Sequence, residues 1–237
     1  MTASRLLALA LAASALSCAS SPVALRRTAR VGDAEARLHV PETFEPLAPG
    51  SVYPNRRMPV PAEGRPGVLL WPDASSGRTE RSLAVTFLAE RGIVVLELPP
   101  GGPSGPPAAA LRDAVAAFGA FRESRGAPVA VLAFRPGPGV VEAVLDETAL
   151  SAAAFLGFDP PAARAVRGAG RLPVLVATLH AGPGEASELS RRLTALLGRS
   201  PVERRYLEAP DGGFPPEAAR DVAEWLAAVL AEGAPGR

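Results

Sequence analysis

The chain has 237 residues and a formal net charge of +1, from 25 basic and 24 acidic side chains; 48% of it is hydrophobic but only 5% aromatic. That overall balance gives no electrostatic reason to expect a nucleic-acid or acidic-membrane partner. Apart from His39 and His180 every basic residue is arginine, so a P-loop and any Schiff-base or Ser–Lys mechanism are excluded for want of a lysine, and a single cysteine with two histidines indicates neither a metal site nor a cofactor.

Arg5 precedes an unbroken run of apolar and small residues, Leu6 to Leu16. It is too short for a bilayer span, which needs ~20 residues, and suits the apolar region of a secretory signal. The run ends in Ala15-Leu16-Ser17-Cys18, which resembles the lipobox of bacterial lipoproteins. The resemblance implies a signal peptide over 1–17, diacylation of Cys18, and a mature domain over 18–237 held to a membrane of the cell envelope by lipid. Ala19 after the cysteine implies, by the same resemblance, the outer membrane of a Gram-negative cell. The alternative is an ordinary leader cut after Ser17, releasing a soluble or periplasmic protein with an unpaired thiol.

Two alternating segments follow, Val23–Val31 and Ala34–Val40, joined by Gly32-Asp33, a two-residue turn with glycine first. They predict an antiparallel hairpin over 23–40, with His39 on its polar, solvent-facing side. The pair Arg26-Arg27 reads as solvated surface. Residues 41–66 contain seven prolines and predict a connecting loop. From 67 to 232 strands and helices alternate. Strands are predicted at Gly67–Trp71, Ile93–Leu98, Val129–Phe134, Ala152–Phe158, Pro173–Leu179 and Arg204–Leu207. Helices are predicted at Arg78–Arg91, around Leu111–Phe121, near Val140–Leu145, around Leu189–Leu197 and around Val222–Leu230. Nearly continuous apolar strands alternating with helices imply an α/β class fold, a mostly parallel doubly wound sheet with helices on both faces.

The order of elements, the stretch Gly67-Val68-Leu69-Leu70-Trp71-Pro72-Asp73-Ala74-Ser75-Ser76-Gly77, and the phrase Leu88-Ala89-Glu90-Arg91-Gly92-Ile93-Val94-Val95-Leu96 resemble the α/β-hydrolase superfamily, in particular its dienelactone-hydrolase-like esterases. The resemblance spans about 23–232. It implies a Ser-His-Asp triad, with the nucleophile in Gly-x-Ser-x-Gly on a tight turn after the fifth strand. Here that turn reads Ala133-Phe134-Arg135-Pro136-Gly137. Arginine cannot lose its proton and attack a carbonyl, and Pro136 has no N–H to offer an oxyanion. Gly182 stands where the family's acid would be and Gly213 where its histidine would be; no Gly-x-Ser-x-Gly occurs anywhere.

Ligands of open α/β sheets bind beyond the carboxyl ends of the strands, where Asp73, Ser75, Ser76, Arg135, Pro136, His180 and Asp211 are expected to gather. Arg135 at a helix start suits a small anionic ligand; the plainer expectation is that it pairs with Asp73 or Asp211, or faces water. The sequence is thus read as a non-catalytic envelope lipoprotein that binds a ligand or another envelope protein. The alternative is an esterase with a relocated set, Ser76, His180 and Asp211.

Overall fold

The computed structural model describes residues 25–41, 64–158, 166, 172–197, 202–209 and 214–232. Eight strands form one sheet: β1 (Leu25–Val31), β2 (Ala34–Val40), β3 (Gly67–Trp71), β4 (Val94–Glu97), β5 (Val129–Phe134), β6 (Ala152–Leu156), β7 (Val174–His180) and β8 (Val202–Glu208). Five helices are described: α1 (Arg78–Glu90), α2 (Pro107–Ala120), α3 (Pro138–Asp146), α4 (Pro183–Leu197) and α5 (Pro216–Glu232). No helix among the described residues is long and apolar enough to cross a membrane.

The strand order is β1-β2-β4-β3-β5-β6-β7-β8. The hairpin β1–β2 closes around Gly32, at φ 56°, and β2 continues antiparallel onto β4 through Arg37↔Glu97, Leu38↔Leu96 and His39↔Val95. Every other pairing is parallel. Strands β3, β4, β5 and β6 are buried along their whole length, because helices cover both faces. One face packs Ala110, Leu111, Ala114 and Phe118 of α2, with α3 and α4, against Leu69, Val131 and Phe155. The other packs Ala84 and Leu88 of α1 and Val222 and Leu226 of α5 against Leu70, Leu132 and Leu175.

The helix ends follow local chemistry. Four of the five described helices begin on a proline, Pro107, Pro138, Pro183 and Pro216, whose preset φ and missing N–H cost nothing in a first turn. α1 ends in a Schellman motif: Gly92, at φ 74°, donates to Ala89 O at 2.9 Å and Ile93 to Leu88 O at 3.1 Å. Gly67 is required for space, since a Cβ there would lie 1.9 Å from Cε1 of the fully buried Phe118.

The expected strands and helices are all present, most of them shifted at the ends or longer than the pattern suggested. β4 is shorter than Ile93–Leu98, and α2 and α5 begin earlier, on their prolines. Residues 23–24 of the expected hairpin and most of the 41–66 loop lie outside the described residues.

One expectation is overturned. His39 is buried, at 3% exposure, and does not face solvent. The alternation rightly sets it on the opposite face from Leu38, but that face is covered there by the start of α1 and the Glu97 side chain of the neighbouring β4. His39 Nε2 lies 2.9 Å from Glu97 Oε2.

Candidate functional site

Arg135 follows the last residue of β5 and is the only non-glycine residue with positive φ, 42°, among the described residues. The left-handed conformation costs a side-chain-bearing residue about 1–2 kcal/mol. The chain turns there from strand to helix: Arg135 N–H donates to Leu156 O at 2.6 Å, Gly137 is the N-cap of α3, and Pro138 begins it. Gly157, at the end of β6 and at φ 64°, makes room for the arginine; a Cβ on Gly157 would meet Arg135 Cγ at 2.9 Å.

The guanidinium does not pair with Asp73, as one expectation had it. Its partner is Glu80: Nη2 donates to Oε1 at 3.0 Å and Nη1 to Oε2 at 3.4 Å. Glu80 occupies the third position of α1, where its Oε2 also accepts the N-cap N–H of Gly77 at 3.0 Å. That capping bond turns the carboxylate back toward the strand ends. The hydrogen bond to Glu80 raises the Arg135 pKa further above its ordinary value, burial opposes it, and the charges of Glu80 and Asp73 add to the rise.

Asp73 is occupied by its own loop. Its Oδ1 accepts Ser75 N–H at 2.7 Å, the Ser75 hydroxyl at 3.0 Å and the Ser76 hydroxyl at 3.0 Å. In return Asp73 N–H donates to Ser76 Oγ at 3.1 Å. Ser76 is 5% exposed, so its hydroxyl is a structural pin in the loop between β3 and α1.

His180 ends β7, half-buried, and its carbonyl accepts Ala209 N–H at 2.8 Å. Its Nδ1 is buried and without a hydrogen-bond partner among the described residues. β5 and β6 separate β3 from β7, which at about 4.8 Å per strand sets the two strands roughly 14 Å apart. The described residues contain no hydrogen bond between Ser76 and His180. Gly182 precedes α4 and its carbonyl accepts Ala186 N–H at 3.0 Å, while the Glu185 carboxylate in the first turn of α4 accepts Ala181 N–H at 2.7 Å. Cys18, Asp211 and Gly213 lie outside the described residues.

A second charged cluster, not anticipated from the sequence, lies on the other side of α1. Arg81 Nε donates to Glu97 Oε1 at 3.0 Å, and its Nη1 donates to Ser76 O. His39 takes the other carboxylate oxygen, and Arg37 Nη1 is 4.0 Å from the first. Burial, the largest single influence on Glu97, raises its pKa. The hydrogen bond and charge of His39, the charge of Arg37 and the hydrogen bond of Arg81 outweigh it, and the net shift is downward. Beside the cluster is a cleft of about 200 Å³ between Arg37, Arg81 and Glu97 on one side and Leu98-Pro99-Pro100 on the other. That is below the ~300–1,000 Å³ of ordinary small-molecule sites. The available signals were Glu80 in a Gly-x-x-Glu helix start and a lone carboxylate, Glu97, inside an apolar strand; buried charges are paired.

The sheet, with its antiparallel hairpin leading into parallel strands covered by helices on both faces, is matched over most of its length by solved esterases and related hydrolases. The protein has the α/β-hydrolase fold. The structure is similar to the esterase domain of a Rhodothermus marinus protein (TM-score 0.58, 16% identity, covering 86% of this chain and 96% of that one). It is similar to dienelactone hydrolase from Anabaena variabilis (TM-score 0.58, 14% identity, 90% and 99%) and to 2,6-dihydroxy-pseudo-oxynicotine hydrolase (TM-score 0.56, 14% identity, 92% and 72%). No protein-family model and no curated protein sequence matches the chain. In the α/β-hydrolase fold the turn after this strand holds the nucleophile exposed in a strained conformation. In this chain the residue at positive φ just after β5 is Arg135.

Proposed function

We propose that this protein is a lipid-anchored component of the cell envelope that has the α/β-hydrolase fold without its hydrolytic chemistry and acts by binding. The observation that carries the reading is Arg135 at the apex of the turn after β5, paired with Glu80 and followed by Pro136. A guanidinium supplies no nucleophile. The proline removes the backbone donor that would face a developing oxyanion, a loss worth about 2.7–4 kcal/mol of transition-state stabilisation. Gly182 in the acid's place and Gly213 in the histidine's place belong to the same reading. Ser76, the hydroxyl nearest in sequence to a relocated site, is buried and bonded to Asp73.

The binding partner on this reading is another envelope protein more readily than a small anion. Glu80 already neutralises Arg135, so an incoming carboxylate or phosphate would have to displace a side chain held by the α1 N-cap. The anchor part of the reading rests on Arg5, the apolar run Leu6–Leu16 and Cys18.

The test is turnover of p-nitrophenyl acyl esters by the purified protein beside its Arg135→Ala and Ser76→Ala variants. The expected result is no hydrolysis above buffer in any of the three. Turnover that disappears in Ser76→Ala would overturn the non-catalytic reading and establish an esterase with a relocated nucleophile.

A further inference from the structure

The N-terminal hairpin has two unlike faces. Ala29 and Val31 of β1 and Ala36 and Leu38 of β2 point into the core, over α2. The other face of β1 carries Arg26, Thr28 and Arg30, all exposed, and the adjacent β2 carries Glu35 and Arg37, also exposed, before His39 turns under α1. The register sets Arg26 opposite His39, Thr28 opposite Arg37 and Arg30 opposite Glu35. Three guanidiniums therefore share one sheet face; Arg37 lies 4.0 Å from Glu97 of β4, while Arg26 and Arg30 stand on the outer strand within the ~13 Å that four strand residues span. Among the described residues neither Arg26 nor Arg30 has an ion-pair partner, whereas Arg27, on the opposite face, is bound to Glu123 at 2.8 Å. Among the described residues β1 is also an outer strand of the sheet.

Chain length places this face close to the anchor. Leu25 comes seven positions after Cys18, and seven residues of chain reach at most about 25 Å. We propose that the Arg26 and Arg30 face of the hairpin docks on an anionic phospholipid surface and so fixes how the domain stands on the membrane. This rests on the reading of Cys18 as lipidated. The lipid supplies the attachment; the arginines supply the orientation, since each basic side chain near an anionic bilayer attracts it measurably and a cluster adds up. The paired arginines elsewhere on the surface, such as Arg192 with Glu188 and Arg205 with Asp221, have their charge already answered.

The experiment uses the native lipidated protein with Asp33→Cys labelled by a fluorescent donor at the hairpin turn. It is reconstituted into vesicles of phosphatidylcholine alone or with phosphatidylglycerol, each carrying an acceptor on the lipid headgroup. Energy transfer is expected to be higher with phosphatidylglycerol and to fall when salt is raised, because surface charges are screened beyond ~10 Å at moderate ionic strength. The double variant Arg26→Gln/Arg30→Gln is expected to shift the docked-to-undocked ratio roughly 30-fold, at about 1 kcal/mol per arginine, and to bring transfer down to its phosphatidylcholine value. Arg192→Gln is expected to change nothing. Transfer that is the same in both lipids, or unaffected by the double variant, would overturn the docking face. Protein that fails to float with either vesicle would instead overturn the lipid anchor, so the two failures are distinguishable.

Discussion

A Cβ placed on Gly157 would stand 2.9 Å from Cγ of Arg135, and Gly157 itself sits at φ 64°. The stem of the arginine thus lies against the backbone at the end of β6, and the two residues constrain each other. Gly157→Ala is expected to lose about 2 kcal/mol from backbone strain and overlap together, lowering the melting temperature by roughly 4–8 °C. In a cycle with Arg135→Ala, the double variant is expected to be about 1 kcal/mol more stable than the two single losses predict, because the overlap goes with the side chain. Additive losses would mean that the contact carries no energy.

Arg135 bears a left-handed φ of 42°, and its effect is separable from that of its ion pair. Arg135→Ala and Arg135→Gly both leave Glu80 without its guanidinium, but only glycine takes the conformation freely. The glycine variant is expected to be more stable than the alanine variant by about 1 kcal/mol, after allowance for the greater entropy of its unfolded chain. Urea midpoints at unchanged slope provide the comparison. Equal midpoints would show that the turn is not strained.

The buried carboxylate of Glu97 makes a pH prediction. Its pKa is held below the ordinary 4.5, so the unfolded chain binds the extra proton first as pH falls. The stability Glu97 contributes is therefore fully present above about pH 4.5 and is lost as pH drops through the folded value. Glu97→Gln, which leaves the Arg81 guanidinium without its counter-charge, is expected to cost about 3 kcal/mol at neutral pH. Its melting temperature is expected to fall less steeply with acid than that of the parent. Parallel melting curves for the two proteins across pH 3 to 6 would exclude Glu97 as the source.

Lipidation has a direct readout. The amino-terminal peptide of protein taken from membranes is expected to begin at Cys18 and to carry the mass of a diacylglyceryl group. A peptide beginning at an unmodified Cys18 would identify an ordinary leader cut after Ser17.

The architecture was legible because its signals are local. Gly32-Asp33 between two alternating segments named the hairpin, Gly92 ended α1 where a left-handed residue was needed, and unbroken apolar strands announced burial on both faces. The prolines that open four helices were equally visible, yet the pattern of leucines and valines placed those helix starts too late. The site was less legible because its partners are distant in sequence. Arg135 meets Glu80 across 55 positions and His39 meets Glu97 across 58. Alternation alone assigned His39 to water; only the packing of α1 over β2, with Glu97 brought beside His39 by β4, shows that this end of the face is covered. Asp73 is near enough to Arg135 to act on it through charge, but the two serines beside it claim the carboxylate first.

Glu80 and Arg81 are adjacent on α1, one bound to Arg135 at the turn after β5 and the other to Glu97 behind the hairpin. Neighbours on a helix point about 100° apart and move as one rigid piece. A roll or slide of α1 that draws Glu80 away from its arginine must also shift Arg81 against its glutamate. The first turn of the helix is a single bolt through two doors, and neither end of the molecule can be unlatched without disturbing the other.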